Sequence, residues 1–462
     1  MEDIRTPPKA SSLIESLRDI GYSLKASVAD IIDNSIAASA SRIDLFFKWD
    51  GPSSYISIID DGHGMLPGEL VNAMRPGSTS PLENRDKIDL GRFGLGLKTA
   101  SFSQCRRLTV VSRKNGELSG CCWDLDHVAA TDDWLLKRLT REQIGFFPEF
   151  HTLGTSGTLV VWENLDRVID KTISDNTESN LYEKMDGVRK HLELVFHRYL
   201  KGEAGIKTIS IFINGEKLKP FDPFNSLHPA TQRLPSEDLE LLGEIIHIQP
   251  YILPHHSKTS TADYEHYSAG DYLKNQGFYV YRNARLLIYG TWFSLTRKRE
   301  LTKLARVKID LQNNLDHLWA IDVKKSRAKP PEVIRQRLKK VIERITGSSS
   351  RVYTTRGRRL TRQGLNTLWI RKASHGKVKY VINREHPFLK KYIDRQSEIN
   401  GSHFLDILTL IEDQFPVDQF YSDVSSSPES IAENTIEEGK LLELADLFYT
   451  SLKAKGERLM KL

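Results

Sequence analysis

Three short motifs in a fixed order carry the chemistry available to this chain. Asp30 and Asn34 stand four residues apart in a stretch of helical periodicity, so their side chains share one face, one turn apart. One could steer a water molecule while the other completes a Mg²⁺ shell, which wants oxygen ligands. Twenty-six residues beyond Asn34, Asp60-Asp61-Gly62-His63-Gly64-Met65 contains an Asp-x-Gly-x-Gly turn. A carboxylate there can accept from an exocyclic amine, and the glycines let a planar base approach the backbone closely. The third motif, Gly91-Arg92-Phe93-Gly94-Leu95-Gly96-Leu97-Lys98, offers successive backbone N–H groups suited to phosphate, the more so where it leads into a helix. Together the three read as a nucleotide site.

Two other phosphate motifs do not fit. A P-loop needs Gly-Lys-Thr at its end, and Leu97 separates Gly96 from Lys98. A dinucleotide fingerprint needs a third glycine where Thr99 stands, directly after a strand, and the preceding Glu83 to Lys87 run is polar.

The motifs, followed by Gly157-Thr158 on a strand-like Thr158 to Trp162 run, resemble the GHKL ATPases, the superfamily of gyrase B, MutL, ninety-kilodalton heat-shock chaperones, histidine kinases and Microrchidia (MORC) proteins. The resemblance implies ATP and Mg²⁺ as cofactors. It makes Asn34 the Mg²⁺ ligand, Asp30 the base and Asp60 the adenine reader, with Gly62, Gly64 and Met65 in its turn. Thr158 becomes a second adenine contact. The backbone of Gly94, Leu95, Gly96 and Leu97 cradles phosphate, with Lys98 assisting. Most members carry Glu where this chain has Asp30, which is one methylene shorter. Reach counts before basicity for a general base, so slow turnover is expected, with Asp33 the alternative base.

The closest overall resemblance is to prokaryotic MORC-like ATPases, in Ala29 to Ser35, Gly91 to Ala100, Tyr279 to Arg282 and Ile321 to Ser326. It suggests, by analogy, a setting in restriction or phage defence. Relatives follow the ATP-binding module with a transducer domain that sends a lysine to the γ-phosphate, where an ammonium stabilises charge during transfer. Lys329 is the candidate and Lys325 its competitor; the other reading of Asp322 to Lys329 is a solvated basic patch. A histidine kinase is disfavoured because only 29 residues precede Asp30, too few for a phosphoacceptor bundle.

The elements that must position these residues follow from periodicity. Ser11 to Asp19 and Ser23 to Ala40 read as helices, the second with Ala26, Ala29, Ile32 and Ile36 at helical spacing. Ile43 to Phe47, Tyr55 to Ile59, Leu108 to Ser112, Gly120 to Asp124 and Thr158 to Trp162 read as strands, and the second of them ends at Asp60. The polar Met74 to Leu90 stretch is a candidate lid over nucleotide or a surface loop. Ile209 to Leu218 reads as an alternating strand with an Asn214-Gly215 hairpin signal. Phe278 to Tyr281, Leu286 to Tyr289 and Val307 to Leu311 are further strands, and Pro331 to Ile345 is a helix. The expected fold class is α+β: a GHKL (Bergerat) ATP-binding sandwich over 1–175, an α/β transducer-like domain over 181–346, and a basic, mixed C-terminal region over 347–462 with a helical tail.

Composition agrees with a chain of two or three domains. It has 462 residues and a formal charge of +6. Cys105, Cys121 and Cys122 are too few for a disulfide framework, and no Cys/His cluster has zinc spacing. The N-terminus lacks an apolar signal core, and no run approaches the ~18 to 20 apolar residues of a membrane span, so a cytoplasmic protein with no membrane partner is expected. From Arg351 to Lys391 there are twelve Lys/Arg and one acid, interleaved with Tyr353, Trp369 and Tyr380. Such a surface neutralises phosphates, while the aromatics either stack on bases or build a core. The expected partners are DNA, a second copy of the chain joined on ATP, and a nuclease or helicase. The alternative function is a nucleotide-binding scaffold or sensor with negligible hydrolysis that recruits a partner nuclease or helicase.

Overall fold

The computed structural model describes most residues within 3–77, 96–169, 177–254, 272–319, 330–360 and 368–416. They divide into two compact units, 1–353 and 354–462.

The first unit begins with helices α1 (Ala10–Arg18) and α2 (Leu24–Ala37). Ser23 caps α2, its hydroxyl accepting from the Ala26 N–H at 3.4 Å. Ser27 to Asp33 are all buried, so α2 lies inside the molecule and its polar side chains need partners there. Next come strands β1 (Arg42–Lys48) and β2 (Tyr55–Asp60), and the short helices α3 (Pro67–Met74) and α4 (Gly96–Phe102). Strands β3 (Arg107–Lys114) and β4 (Glu117–Asp124), helix α5 (Leu125–Thr131), strand β5 (Lys137–Arg138), helix α6 (Arg141–Gly145) and strand β6 (Gly157–Glu163) complete the region expected to bind nucleotide.

Helix α7 (Thr177–Val195), helix α8 (His197–Lys201) and the hairpin β7 (Ser210–Ile213) and β8 (Glu216–Lys217) follow. They join the same eight-stranded sheet, ordered β5-β4-β3-β6-β2-β1-β7-β8. β7 runs parallel to β1, from Arg42 opposite Ser210 to Leu45 opposite Ile213, and all other pairs are antiparallel. Leu181, Met185, Val188, Leu192 and Val195 of α7 share one core with Val28, Ile31 and Ile32 of α2. The first sheet and its core thus extend past the boundary expected near 175–181. Alternation marks Ile209 to Ile213 as a strand but does not encode which sheet it joins.

A second, six-stranded sheet is built from β9 (Gln232–Arg233), β10 (Glu237–Leu241), β11 (Glu244–Ile252), β12 (Gly277–Arg282), β13 (Arg285–Thr291) and β14 (Ala305–Leu311). Its order is β10-β11-β14-β12-β13, with β9 also on β11 and β12 parallel to β14. The helix Glu332–Leu360 lays Ile334, Leu338, Val341, Ile342 and Ile345 onto this sheet's core, on the face the sequence spacing predicts.

In the second unit, Trp369–Ser374 and Lys377–Ile382 form an antiparallel hairpin, accompanied by helix Gly401–Asp413. The Glu412 carboxylate accepts from the Ile382 N–H at 2.8 Å and from Arg384 at 2.9 Å. Trp369 and Tyr380 pack their rings 5.5 and 6.0 Å from Phe415. Of the two roles open to these aromatics, both rings take part in packing.

Among the described residues no helix is long and apolar enough to cross a membrane. Ser78 to Leu90 of the candidate lid, Gly91 to Leu95 of the glycine-rich motif, the Lys325 and Lys329 candidates, and the helix expected from Ile431 to Leu452 lie outside the described residues.

Candidate functional site

β2 ends on Asp60, whose carboxylate is almost wholly buried and accepts hydrogen bonds on both oxygens. Its Oδ2 accepts from the Ser35 hydroxyl at 2.8 Å, and its Oδ1 accepts from the Gly62 N–H at 2.9 Å. Burial pushes this carboxyl above the usual carboxylate range, opposed by the hydrogen bonds from Ser35, Gly62 and Thr158. Thr158 faces Asp60 across the β2–β6 pairing. Its hydroxyl lies 3.0 Å from Ser112 Oγ on β3, which accepts from the Met65 N–H at 2.8 Å and donates to the Gly157 carbonyl at 3.1 Å. Asp60, Gly62, Met65 and Thr158 therefore belong to one hydrogen-bonded cluster. Ser35 and Ser112 complete it and were not expected from the sequence; the one signal for Ser35 was its place directly after Asp33-Asn34 on α2.

The glycines of the turn answer to a different need from the one expected. A Cβ on Gly62 would lie 2.8 Å from the Ala38 carbonyl oxygen and 2.9 Å from Asp60 Oδ1. Gly64 has φ +66°, and its Cβ would fall 2.0 Å from the Arg113 carbonyl oxygen. Both positions require glycine because the protein's own backbone passes so close, whatever else the turn holds.

Ser35 ties this cluster to α2, and α2 carries the second half of the site. Asn34 is exposed, while Asp30 one turn earlier is buried, as is Asp33. Arg285, the first residue of β13, reaches across from the second sheet. Its Nε donates to Asp33 Oδ1 at 2.9 Å, and its Nη2 stands 3.7 Å from Asp30 Oδ1. No feature of the sequence connects a residue 252 positions away to Asp33. Asp33 is thereby tied to the second sheet through Arg285.

Gly96, Leu97 and Lys98 open α4, with open space where a Gly96 Cβ would sit. Lys98, expected to assist at phosphate, is buried and donates from Nζ to the Ala73 carbonyl of α3 at 2.8 Å. Burial pulls its ammonium down to about 8. In this arrangement it ties α4 to the last turn of α3.

Among the described residues no three His, Cys, Asp or Glu side chains converge to cage an ion. Mg²⁺ would need phosphate oxygens beside the exposed Asn34, as is usual for an ion that arrives with a nucleotide.

Comparison with known proteins agrees with this geometry. Residues 22–158 match the family described as histidine kinase-, DNA gyrase B-, and HSP90-like ATPase. The DNA mismatch repair protein MutL of Rhodospirillum rubrum is 39% identical over 101 residues, 22% of this chain and 16% of that protein. MutL of Paramagnetospirillum magneticum is 36% identical over a stretch of the same coverage, and that of Rhodopseudomonas palustris 35% over 91 residues. The matched stretches span about a sixth of these relatives. This part of the chain is a GHKL domain, as the three motifs imply.

Proposed function

We propose that the protein is a Mg²⁺-dependent ATP-binding switch that hydrolyses ATP slowly, dimerises on ATP and acts on DNA. The observation that carries the reading is the Ser35–Asp60 hydrogen bond, which joins the adenine-reading turn to the helix bearing Asn34 and Asp30. Asp60 holds an acceptor at the end of β2, and Thr158 and Ser112 fix the floor beside it. Asn34 presents its side-chain oxygen at the surface of α2. Asp30 takes the proton of the attacking water. Asn34 would hold a Mg²⁺ that, when bound, would neutralise charge on the phosphates. Lys325 or Lys329 supplies the ammonium at the γ-phosphate. The names of the MutL relatives refer to DNA mismatch repair, which supports a DNA-directed role, while a setting in restriction or phage defence rests on analogy with MORC-like ATPases.

A second reading, a nucleotide-binding scaffold with negligible hydrolysis, draws on one observation. Asp30 is shorter than the usual Glu and stands beside the Arg285 guanidinium. Phosphate release with and without duplex DNA, measured together with nucleotide affinity and nucleotide-dependent mass, separates the two. Tight binding and dimerisation with no phosphate released would favour the scaffold; no ATP binding would reject both.

A further inference from the structure

The tip of the β12–β13 hairpin belongs to one sheet by hydrogen bonding and to the other by packing. Arg282 pairs with Arg285 across a two-residue turn, Asn283-Ala284, with φ of 47° and 65°. Ala284 in that left-handed conformation is buried in the core of the first sheet, among the residues of α2 and α7. The Asn283 carbonyl accepts from the Tyr199 hydroxyl of α8. Both φ values suit a two-residue hairpin turn, and the burial of Ala284 with the Tyr199 bond seats the tip in the first sheet's core.

Arg285 follows directly. It is 4% exposed, and the two carboxylates it faces, Asp30 and Asp33, are 6% and 2% exposed. Nη1 donates to the Leu286 carbonyl at 3.0 Å, and the guanidinium lies 5.6 Å from the Phe196 ring centroid. The fork is thereby fixed by its own strand and by an aromatic face, with Nε on Asp33 and Nη2 toward Asp30. Two carboxylates three residues apart on a buried helix face repel each other, and a single guanidinium offsets that repulsion, hydrogen-bonded to Asp33 and at ion-pair distance from Asp30. A lysine ammonium, a single point charge, cannot reproduce the fork.

We infer that Arg285 is a positioning residue for ATP turnover, orienting Asp30 through the shared contact with Asp33 and so making the β12–β13 hairpin the element by which the second sheet senses the nucleotide site. This rests on the ATPase reading above, with Asp30 as base. The device differs from the lysine loop: Arg285 reaches the two carboxylates of α2 themselves.

The test compares the full-length wild type with Arg285→Lys and Arg285→Gln. Three measurements are made on each: affinity for a non-hydrolysable ATP analogue, kcat for phosphate release, and amide hydrogen exchange of 282–291 with and without the analogue. In the wild type, analogue binding should slow exchange across the hairpin. Arg285→Lys should stay folded, keep analogue affinity within about threefold, lower kcat at least tenfold, and lose the nucleotide-dependent change in exchange, with Arg285→Gln more severe. Lys variants that bind the analogue yet match wild-type kcat and exchange would overturn the inference and leave the ATPase reading standing. Parallel loss of affinity and kcat would also overturn it, since a purely structural role predicts that. If the wild type binds ATP without measurable turnover, the exchange arm decides alone: an Arg285-dependent response supports the coupling, and its absence overturns it. A wild type that binds no ATP overturns both.

Discussion

Asp60 is a single residue whose stability and function pull in opposite directions. Burial raises its carboxyl in the folded state, so the folded chain holds that proton to higher pH than the unfolded chain. The stabilisation from that proton is present below the unfolded carboxylate range and lost as pH rises through the folded value. At neutral pH what remains is the cost of burying a charge, offset by Ser35 and Gly62. Asp60→Asn should therefore leave the ligand-free protein as stable as wild type or more so. It should also weaken ATP binding by about 1 to 3 kcal/mol, because an amide donor then faces the adenine amine. Thermal melts without ligand and calorimetric titration with ATP read the two effects separately, and unchanged ATP affinity would remove Asp60 from the adenine site. Asp30 gives the complementary case. Asp30→Ala should keep ATP and Mg²⁺ while losing ~10² to 10⁴ in turnover, since it removes a base without touching the adenine end. Turnover equal to wild type would pass the role to another group.

At the scale of elements, what was legible in sequence was what local pattern encodes. The helical spacing of Ala29, Ile32 and Ile36 marked α2, the Tyr55 to Ile59 run delivered Asp60 at a strand end, and Asn214-Gly215 marked the β7–β8 turn. Strands β9 to β11 were not expected: their turn uses Leu242-Gly243, with φ of 53° and 79°, and a leucine in the left-handed region carries no turn signature. Arg285 was invisible for a deeper reason, since a contact between sheets depends on how two separately patterned elements meet. Lys98 was expected to assist at phosphate, and its place as a buried strut between α4 and α3 was not legible. That strut has a testable cost. With its ammonium pulled down to about 8 from 10.5, the folded state binds fewer protons than the unfolded chain between those values. Stability from this group is thus lowest below about pH 8 and rises with pH through the window. The stability of Lys98→Met relative to wild type should be greatest near pH 7 and fall towards pH 10, as the wild type gains stability through the window. Urea unfolding of both proteins across that range checks the sign, and a gap that widened with pH would contradict the assignment of Lys98 as a buried strut.

For the whole molecule, the question is how a GHKL domain and a basic C-terminal region serve one function. A formal charge of +6 is modest for 462 residues, yet twelve Lys/Arg against one acid fall between Arg351 and Lys391. Trp369 and Tyr380 pack with Phe415, which favours backbone neutralisation over base stacking as the source of any nucleic-acid affinity. Affinity of that kind is insensitive to sequence and falls steeply with salt, by a slope of about 0.9 per neutralised phosphate in a log–log plot. Nucleotide can change it only by favouring one conformation over another, and an ATP-joined dimer that grips or encloses the duplex is such a conformation. Duplex affinity should therefore rise with a non-hydrolysable ATP analogue, in step with the dimer fraction seen by light scattering. It should fall when Arg356, Arg358, Arg359 and Arg362 are changed to Glu, with a shallower salt slope. Binding that ignores salt, or no binding in either nucleotide state, would remove DNA as the partner and leave the scaffold reading ahead.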